Sequence, residues 1–186
     1  MYEWIHVVTG PVVFEPGVYI VRGVHPLTGI AVNVTAGPVI AEGVMFYITD
    51  NAAYSAISGQ PDASDGGSPP PAPGALGLVP SVVINAAVLG SRYAPLSDPG
   101  SPFDGMFLFQ RRADRRPIVV VAEQLLLGGN SVSGTVYAKW GHFLFAGQGR
   151  YDLRVAAGSM RIVTVLGCEF APARLFPPVR EVFLVE

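Results

Sequence analysis

The chain has 186 residues, of which 50% are hydrophobic and only 14% are charged, and its formal net charge is −2. Disordered proteins combine low hydrophobicity with high charge, so this composition excludes that class. The 22 glycines and 17 prolines argue against a helical bundle, because they cost about 1 and 3 kcal/mol each inside a helix. Many short strands in a single domain over residues 1–186 fit better.

Short apolar runs separated by turn residues predict strands along the whole chain. Residues 30–35 alternate well, with Ile30, Val32 and Val34 on one face of the predicted strand. The predicted strands lie at residues 12–14, 18–21, 30–35, 39–40, 44–48, 82–85, 106–109, 118–121, 135–138, 143–145, 153–155 and 160–166. Their number and shortness indicate an all-β fold.

One element recurs, a glycine followed directly by a short apolar or aromatic strand. It occurs at Gly17, Gly43, Gly105 and Gly134, with a looser copy at Gly158. A period of roughly 20 to 30 residues, with one strand element in each repeat, is typical of a solenoid. We therefore predict a right-handed parallel β-helix of short rungs. The alternative is an antiparallel β-sandwich or jelly roll, in which glycines also begin strands.

Two segments depart from the strand pattern. Residues 58–80 are rich in proline and glycine, which predicts an exposed loop with polyproline character extruded from the same domain. Residues 171–186 predict an extended C-terminal arm. Its last apolar run is suited to adding a strand to a neighbouring surface through main-chain hydrogen bonds.

Residues that could carry chemistry are sparse. His6, His25 and His142 stand apart in the sequence, and Cys168 is the only cysteine, so no compact zinc motif exists. No nucleophile or phosphate-loop motif is present either. The arginine-rich segment 111–116 contains an aspartate and no aromatic residue between its arginines. It therefore indicates a solvated loop rather than a nucleic-acid surface. We expect no catalytic residue, no cofactor, no metal and no nucleic-acid partner.

The sequence also bears on membranes and export. No apolar run reaches the ~18 to 20 residues of a membrane helix, so we expect no membrane insertion. The first ten residues read as strand rather than as a signal peptide. If the protein is exported, we expect its signal to have been removed or to lie upstream of this chain.

Both ends of the predicted solenoid are apolar and poor in charge. End rungs are open templates for pairing unless they are capped. We predict self-association into a homopolymer through Val7 and Val8 at one end and Phe183, Leu184 and Val185 at the other.

The alternative function is a carbohydrate-binding or polysaccharide-cleaving β-helix protein, with a surface polysaccharide as partner. Such a protein would present a row of exposed aromatic side chains along one face. The available residues are Trp4, Tyr93, Tyr137, Trp140 and Tyr151. Most of these we expect in the core or at rung corners.

Four segments resemble a known family. They are FEPGVY at 14–19, GVMFYI at 43–48, DGMFLFQR at 104–111 and GNSVSGTVYA at 129–138. Their order is similar to that in the C-terminal regions of Tad-pilus-associated, TadG-like exported bacterial proteins. A proline usually follows the last segment, whereas this chain has Lys139. The resemblance implies an exported, cell-surface, β-solenoid-like module with no catalytic residues to transfer. Together with the apolar ends, it leads us to predict a non-catalytic structural subunit of an extracellular filament, adhesin, pilus-like appendage or cell-surface layer.

Overall fold

The computed structural model describes residues 1–49, 51–55, 79–112, 114–124 and 130–173. These residues form an all-β structure without helices. The strands are β1 (Ile5–Val7), β2 (Val12–Val13), β3 (Gly17–Val21), β4 (Val32–Val34), β5 (Val39–Ala41), β6 (Val44–Ile48), β7 (Val82–Asn85), β8 (Arg92–Tyr93), β9 (Met106–Gln110), β10 (Ile118–Glu123), β11 (Ser131–Val163) and β12 (Cys168–Phe170). Most of the predicted loop at 58–80 and of the predicted arm at 171–186 lies outside the described residues.

The strands recur in threes, and each set pairs with the next. β1, β2 and β3 pair with β4, β5 and β6 respectively, which pair in turn with β7, β8 and β9. β7 continues to β10 and then to residues 143–148 of β11, while β8 and β9 continue to residues 131–132 and 135–137 of the same strand. We call each set of three a rung and each series of paired strands a column.

Every one of these ladders is parallel. The prediction of an all-β, parallel-stranded fold is therefore confirmed, and the antiparallel sandwich is wrong. Parallel pairing explains the apolar character of the strands, because the inner face of each strand packs into the core and the ladder buries its main chain.

The core lies between the columns and consists of stacked identical or similar side chains. Val32, Val82, Ile118 and Phe143 follow one another in register and are fully buried. A second, aromatic part surrounds Phe46, whose ring lies 5.5 Å from that of Phe14, 5.8 Å from that of Tyr19 and 6.1 Å from that of Phe107. Stacking equivalent positions in this way gives one continuous core across the rungs.

The predicted glycine element marks one corner of the rungs. Gly17, Gly43, Gly105 and Gly134 all precede or begin the third strand of successive rungs, and all have positive φ. The main chain pairs across this corner, with the Gly17 N–H donating to Gly43 O and the Thr135 N–H donating to Gly105 O, both at 2.9 Å. The looser copy at Gly158 lies elsewhere, against the main chain of residues 139–140.

The arginine segment at residues 111–116 holds a buried polar network rather than a fully solvated loop. Asp114 is only 4% exposed and forms an ion pair of 2.7 Å with Arg116. The buried Gln110 amide donates to the carbonyl oxygens of Asp114 and Arg116, at 3.0 and 2.9 Å. The Ser81 hydroxyl donates to Gln110 Oε1. These bonds stabilise the chain between β9 and β10, so the segment contributes to the fold.

Two buried tyrosines form a matched pair for testing the core. The Tyr93 hydroxyl has no hydrogen-bond partner among the described residues, and burial raises its pKa. The Tyr151 hydroxyl lies 2.6 Å from Gln148 O and 3.0 Å from Ala122 O. A buried hydroxyl stabilises the fold only if it is hydrogen-bonded.

We expect Tyr151→Phe to lower the free energy of unfolding by about 1 to 2 kcal/mol, and Tyr93→Phe to leave it unchanged or raise it slightly. Urea unfolding followed by circular dichroism measures both variants against the parent. An equal loss in the two variants would contradict the assignment, because it would mean that the Tyr93 hydroxyl also has a partner.

Candidate assembly surfaces

The exposed apolar side chains are concentrated at the two ends of the columns. Among the described residues, all of the exposed large apolar side chains except Val79 and Leu89 belong to segment 1–27 or to segment 160–166. They are Met1, Tyr2, Trp4, Val8, Val13, Val18, Val24 and Leu27 at the first end, and Met160, Ile162, Val163, Val165 and Leu166 at the second. Exposed apolar side chains that are grouped rather than scattered singly make both ends candidate interaction surfaces.

The outer edge of the first rung is open at β1 and β2. The Ile5 N–H donates to Ala31 O at 2.9 Å and the Val12 N–H donates to Pro38 O at 3.1 Å, both towards the second rung. Alternate residues of a strand direct their main-chain groups to opposite sides, so those of His6 and Val13 face away from the second rung. In the described part of the chain nothing pairs with this edge, and an open edge is a template for another strand.

The third strand of the first rung is partly covered. The Tyr2 N–H donates to Ile20 O at 2.8 Å, and the Arg22 N–H donates to Tyr2 O at 2.9 Å. The Tyr2 ring stacks on Tyr19, with centroids 5.4 Å apart, and an ion pair of 2.6 Å joins Glu3 to Arg22. The burial of Tyr19, with Tyr2 and Glu15 nearby, raises its pKa. The open edge is thereby confined to β1 and β2.

The predicted coupling residues lie at this edge only in part. Val7 is half-buried and packs against the core, whereas Val8 is 49% exposed. Phe183, Leu184 and Val185 lie outside the described residues. Sequence reasoning missed Val13, which is 68% exposed on β2. The sequence contained a signal for this, because alternate residues of a strand face opposite sides and Val13 lies between Val12 and Phe14. In the structure Val12 and Phe14 are both more buried than Val13.

An apolar groove of about 300 Å³ runs from Ala87 on the third rung to residues 163–165 at the second end. It follows the C-terminal ends of the first-column strands. Its lining is Ala87, Val121, Ala122, Glu123, Ala146, Gly147, Gln148, Val163, Thr164 and Val165. The one charged side chain, Glu123, accepts a hydrogen bond of 2.8 Å from Gln148 Nε2, so it is compatible with a largely apolar contact.

A second groove of about 320 Å³ follows the glycine corner, with Gly43, Gly105 and Gly134 in its lining. Asp104 and Asp152 also line it, but one oxygen of each already accepts a main-chain N–H, from Asp98 at 2.8 Å and from Ala173 at 2.6 Å. None of the described lining residues is aromatic. Most of its exposed lining is apolar, with charged groups at Asp104, Asp152 and Arg154, and its described residues do not include the aromatic platform expected of a sugar site.

The aromatic residues considered for sugar binding do not form a row. Tyr93 and Tyr151 are buried in the core. Tyr137 belongs to an outer stack, in which its ring lies 4.9 Å from Phe109 at an interplanar angle of 14°. Trp140 instead receives the Lys139 ammonium group, 5.1 Å above its ring. Because the rings of Tyr137 and Phe109 cover each other's faces, that stack stabilises the sheet and offers little face for a sugar.

The structure brings two of the three histidines together. The rings of His6 and His25 lie 4.3 Å apart, with His6 Nε2 at 3.3 Å from the Asn33 amide nitrogen and His25 Nδ1 accepting the Leu27 N–H at 3.3 Å. His142 is separate. No group of three or more His, Cys, Asp and Glu side chains suited to a metal occurs in the described ranges. The two rings thus have local hydrogen-bonding roles.

The single cysteine lies on the last strand. Cys168 is half-buried in β12, which pairs with residues 149–151. Burial raises the pKa of its thiol. A raised pKa lowers the thiolate fraction at neutral pH, and the thiolate is the reactive form. These two features favour an unreactive thiol.

The chain matches no protein-family model, no curated protein and no solved structure. Within the described ranges there is no helix long and apolar enough to cross a membrane. The similarity to TadG-like proteins accordingly stays a prediction from the four sequence segments.

Proposed function

We propose that this protein is a non-catalytic structural subunit that assembles end to end into an extracellular filament, a pilus-like appendage or a cell-surface layer. The observation that carries the proposal is the concentration of exposed apolar side chains at the two ends of the columns, together with the open edge of β1 and β2. We further infer that the fold is a right-handed parallel β-helix, because crossovers between parallel strands are almost always right-handed.

The direction of the strands favours a polymer over a closed dimer. In parallel columns the two ends differ, and the edge of a last rung can extend the edge of another copy's first rung in the same direction. Such a contact uses main-chain hydrogen bonds for affinity, as in strand addition. A head-to-tail contact joins two different surfaces, so it repeats from copy to copy and produces a filament unless the rotation closes a ring.

The proposed extracellular location rests on a different argument. The segments at 14–19, 43–48, 104–111 and 129–138 resemble TadG-like exported proteins. A charge content of 14% suits a surface that is largely covered by neighbouring subunits. The roles in surface attachment and adhesion that the resemblance implies follow only if the protein is exported.

Val13→Lys is expected to abolish assembly, whereas Leu89→Lys is expected to leave it intact. The two side chains are matched, since Val13 is 68% and Leu89 is 67% exposed, but only Val13 lies on the open edge. A lysine buried between copies would lose its hydration without gaining a partner. Size-exclusion chromatography and negative-stain electron microscopy of both variants and the parent measure the effect.

The parent and the Leu89→Lys variant should form filaments or large regular assemblies, and the Val13→Lys variant should elute as a monomer. A parent chain that stays monomeric at high concentration would refute the proposal. The groove at the glycine corner would then be the surface to test, by titration with surface polysaccharides. Assembly of the Val13→Lys variant would equally exclude the open edge as the contact.

A further inference from the structure

We propose that Val8 of one copy packs against residues 163–165 of the next copy, beside the apolar groove at the second end. The inference rests on the proposed end-to-end assembly and specifies its contact. It follows from one column of residues that begins at Val8 and ends at this groove.

The first step is the register of the column. Val7 pairs with Val34, which pairs with Ile84, so the next positions along these strands are Val8, Thr35 and Asn85. The Thr35 N–H donates to Val7 O at 3.0 Å, and the Asn85 side-chain amide donates to Thr35 O at 3.4 Å. Val8 is therefore the first in this series of equivalent positions, on the first rung.

The second step follows the same position to the other end. Asn85 pairs with Val121, and Val121 pairs with Ala146. Val121 and Ala146 line the apolar groove, and residues 163–165 form its far side. The segment that includes the exposed Val163 and Val165 lies beside the strand that contains Ala146. Just before it, Ser159 Oγ lies 2.8 Å from His142 Nδ1, four residues before Ala146.

The third step is the fit between the two ends. A copy added head to tail places its β1 about 4.8 Å beyond the last rung, which is the spacing of neighbouring strands. Its Val8 then continues the column next to residues 163–165. Val8 is 49%, Val163 46% and Val165 91% exposed, so each side chain loses water on contact.

The test is disulfide trapping in a Cys168→Ser chain, which removes the native thiol. Val8→Cys is combined with Val163→Cys in one chain and with Val165→Cys in another. Neighbouring strands place Cα atoms about 5 Å apart, which is within the range that a disulfide requires. Because Val8 and the segment at 163–165 lie at opposite ends of the columns, a bond between them can form only between copies.

We expect mild oxidation to give a ladder of covalent multimers on a non-reducing gel in at least one pair, and a reductant to return it to monomer. Val8→Cys combined with Leu89→Cys is the control and should give no ladder. Mixing chains that carry only Val8→Cys with chains that carry only Val165→Cys should give dimers alone. Circular dichroism checks that each variant is folded.

The outcomes separate this contact from the assembly itself. Filaments that form in the reduced variants but give no covalent ladder in either pair would overturn the Val8 contact and leave the proposed function standing. A parent chain that forms no filaments would overturn both. A ladder of equal yield in the Leu89 control would also overturn the contact, since it would show random collision.

Discussion

Gly37→Ala is expected to lower the free energy of unfolding by at least about 4 kcal/mol or to prevent folding. Gly37 has a φ of +71°, and a β-carbon on it would lie 1.6 Å from Gly10 O and 2.4 Å from Gly10 C. These are main-chain atoms of the neighbouring rung, so no side chain can move aside. Separating the two rungs would break the pairing of β2 with β5, and losses of this size arise only from such severe conflicts.

Gly10→Ala is the matched control. Gly10 has nearly the same conformation, with φ of +67°, but nothing lies within 4 Å of its added β-carbon. The variant should show only the cost of a left-handed alanine, about 1 to 2 kcal/mol. Chemical unfolding followed by circular dichroism gives both values. Equal losses in the two variants would mean that the rungs do not approach each other as closely as described.

This pair of glycines shows what the sequence could have revealed. Gly10-Pro11-Val12-Val13 is followed 27 positions later by Gly37-Pro38-Val39-Ile40, and the structure stacks the two segments on adjacent rungs. The repeat is a stronger sign of a solenoid than the glycine element at the other corner. The later rungs obscure it, because the chain between β6 and β7 interrupts the period.

Other features have no signal in the sequence because they depend on which rungs are adjacent. Tyr2 covers the edge of β3 only because the first three residues run alongside that strand. His6 and His25 are distant in the sequence with no motif between them, yet their rings lie 4.3 Å apart because the chain after β3 returns beside β1. Composition and periodicity predict which strands form, and the stacking decides which side chains meet.

The residues of the candidate assembly surface were likewise predictable from the sequence only in part. The prediction that the ends of a solenoid couple copies came from its open edges. Val8 is exposed at one of those edges, and the coupling itself stays a prediction. The selection of Val7 beside it ignored strand alternation, which turns Val7 towards the core. Val163 and Val165 could not have been singled out, because their exposure results from being on the last described rung.

Phe46→Ala is expected to lower the free energy of unfolding by about 3 to 5 kcal/mol, the usual cost of removing a buried phenylalanine ring. Phe46 is fully buried, and its ring packs on those of Phe14 and Tyr19 on the first rung side and of Phe107 on the third. Removing the ring leaves a cavity among three other rings that are fixed by their own strands. Differential scanning calorimetry and urea unfolding measure the loss.

The matched control is Phe109→Ala, on the outer face of the same sheet. Phe109 is only half-buried and stacks on Tyr137, so removing it exposes surface that water can fill and should cost clearly less. A Phe46 loss no larger than that of Phe109 would contradict the assignment of the two faces. Where Phe46→Ala remains folded it should still form filaments, because the cavity lies inside the columns and leaves Val8, Val13 and residues 163–165 unchanged. Core stability and the proposed end-to-end assembly are therefore expected to be separable.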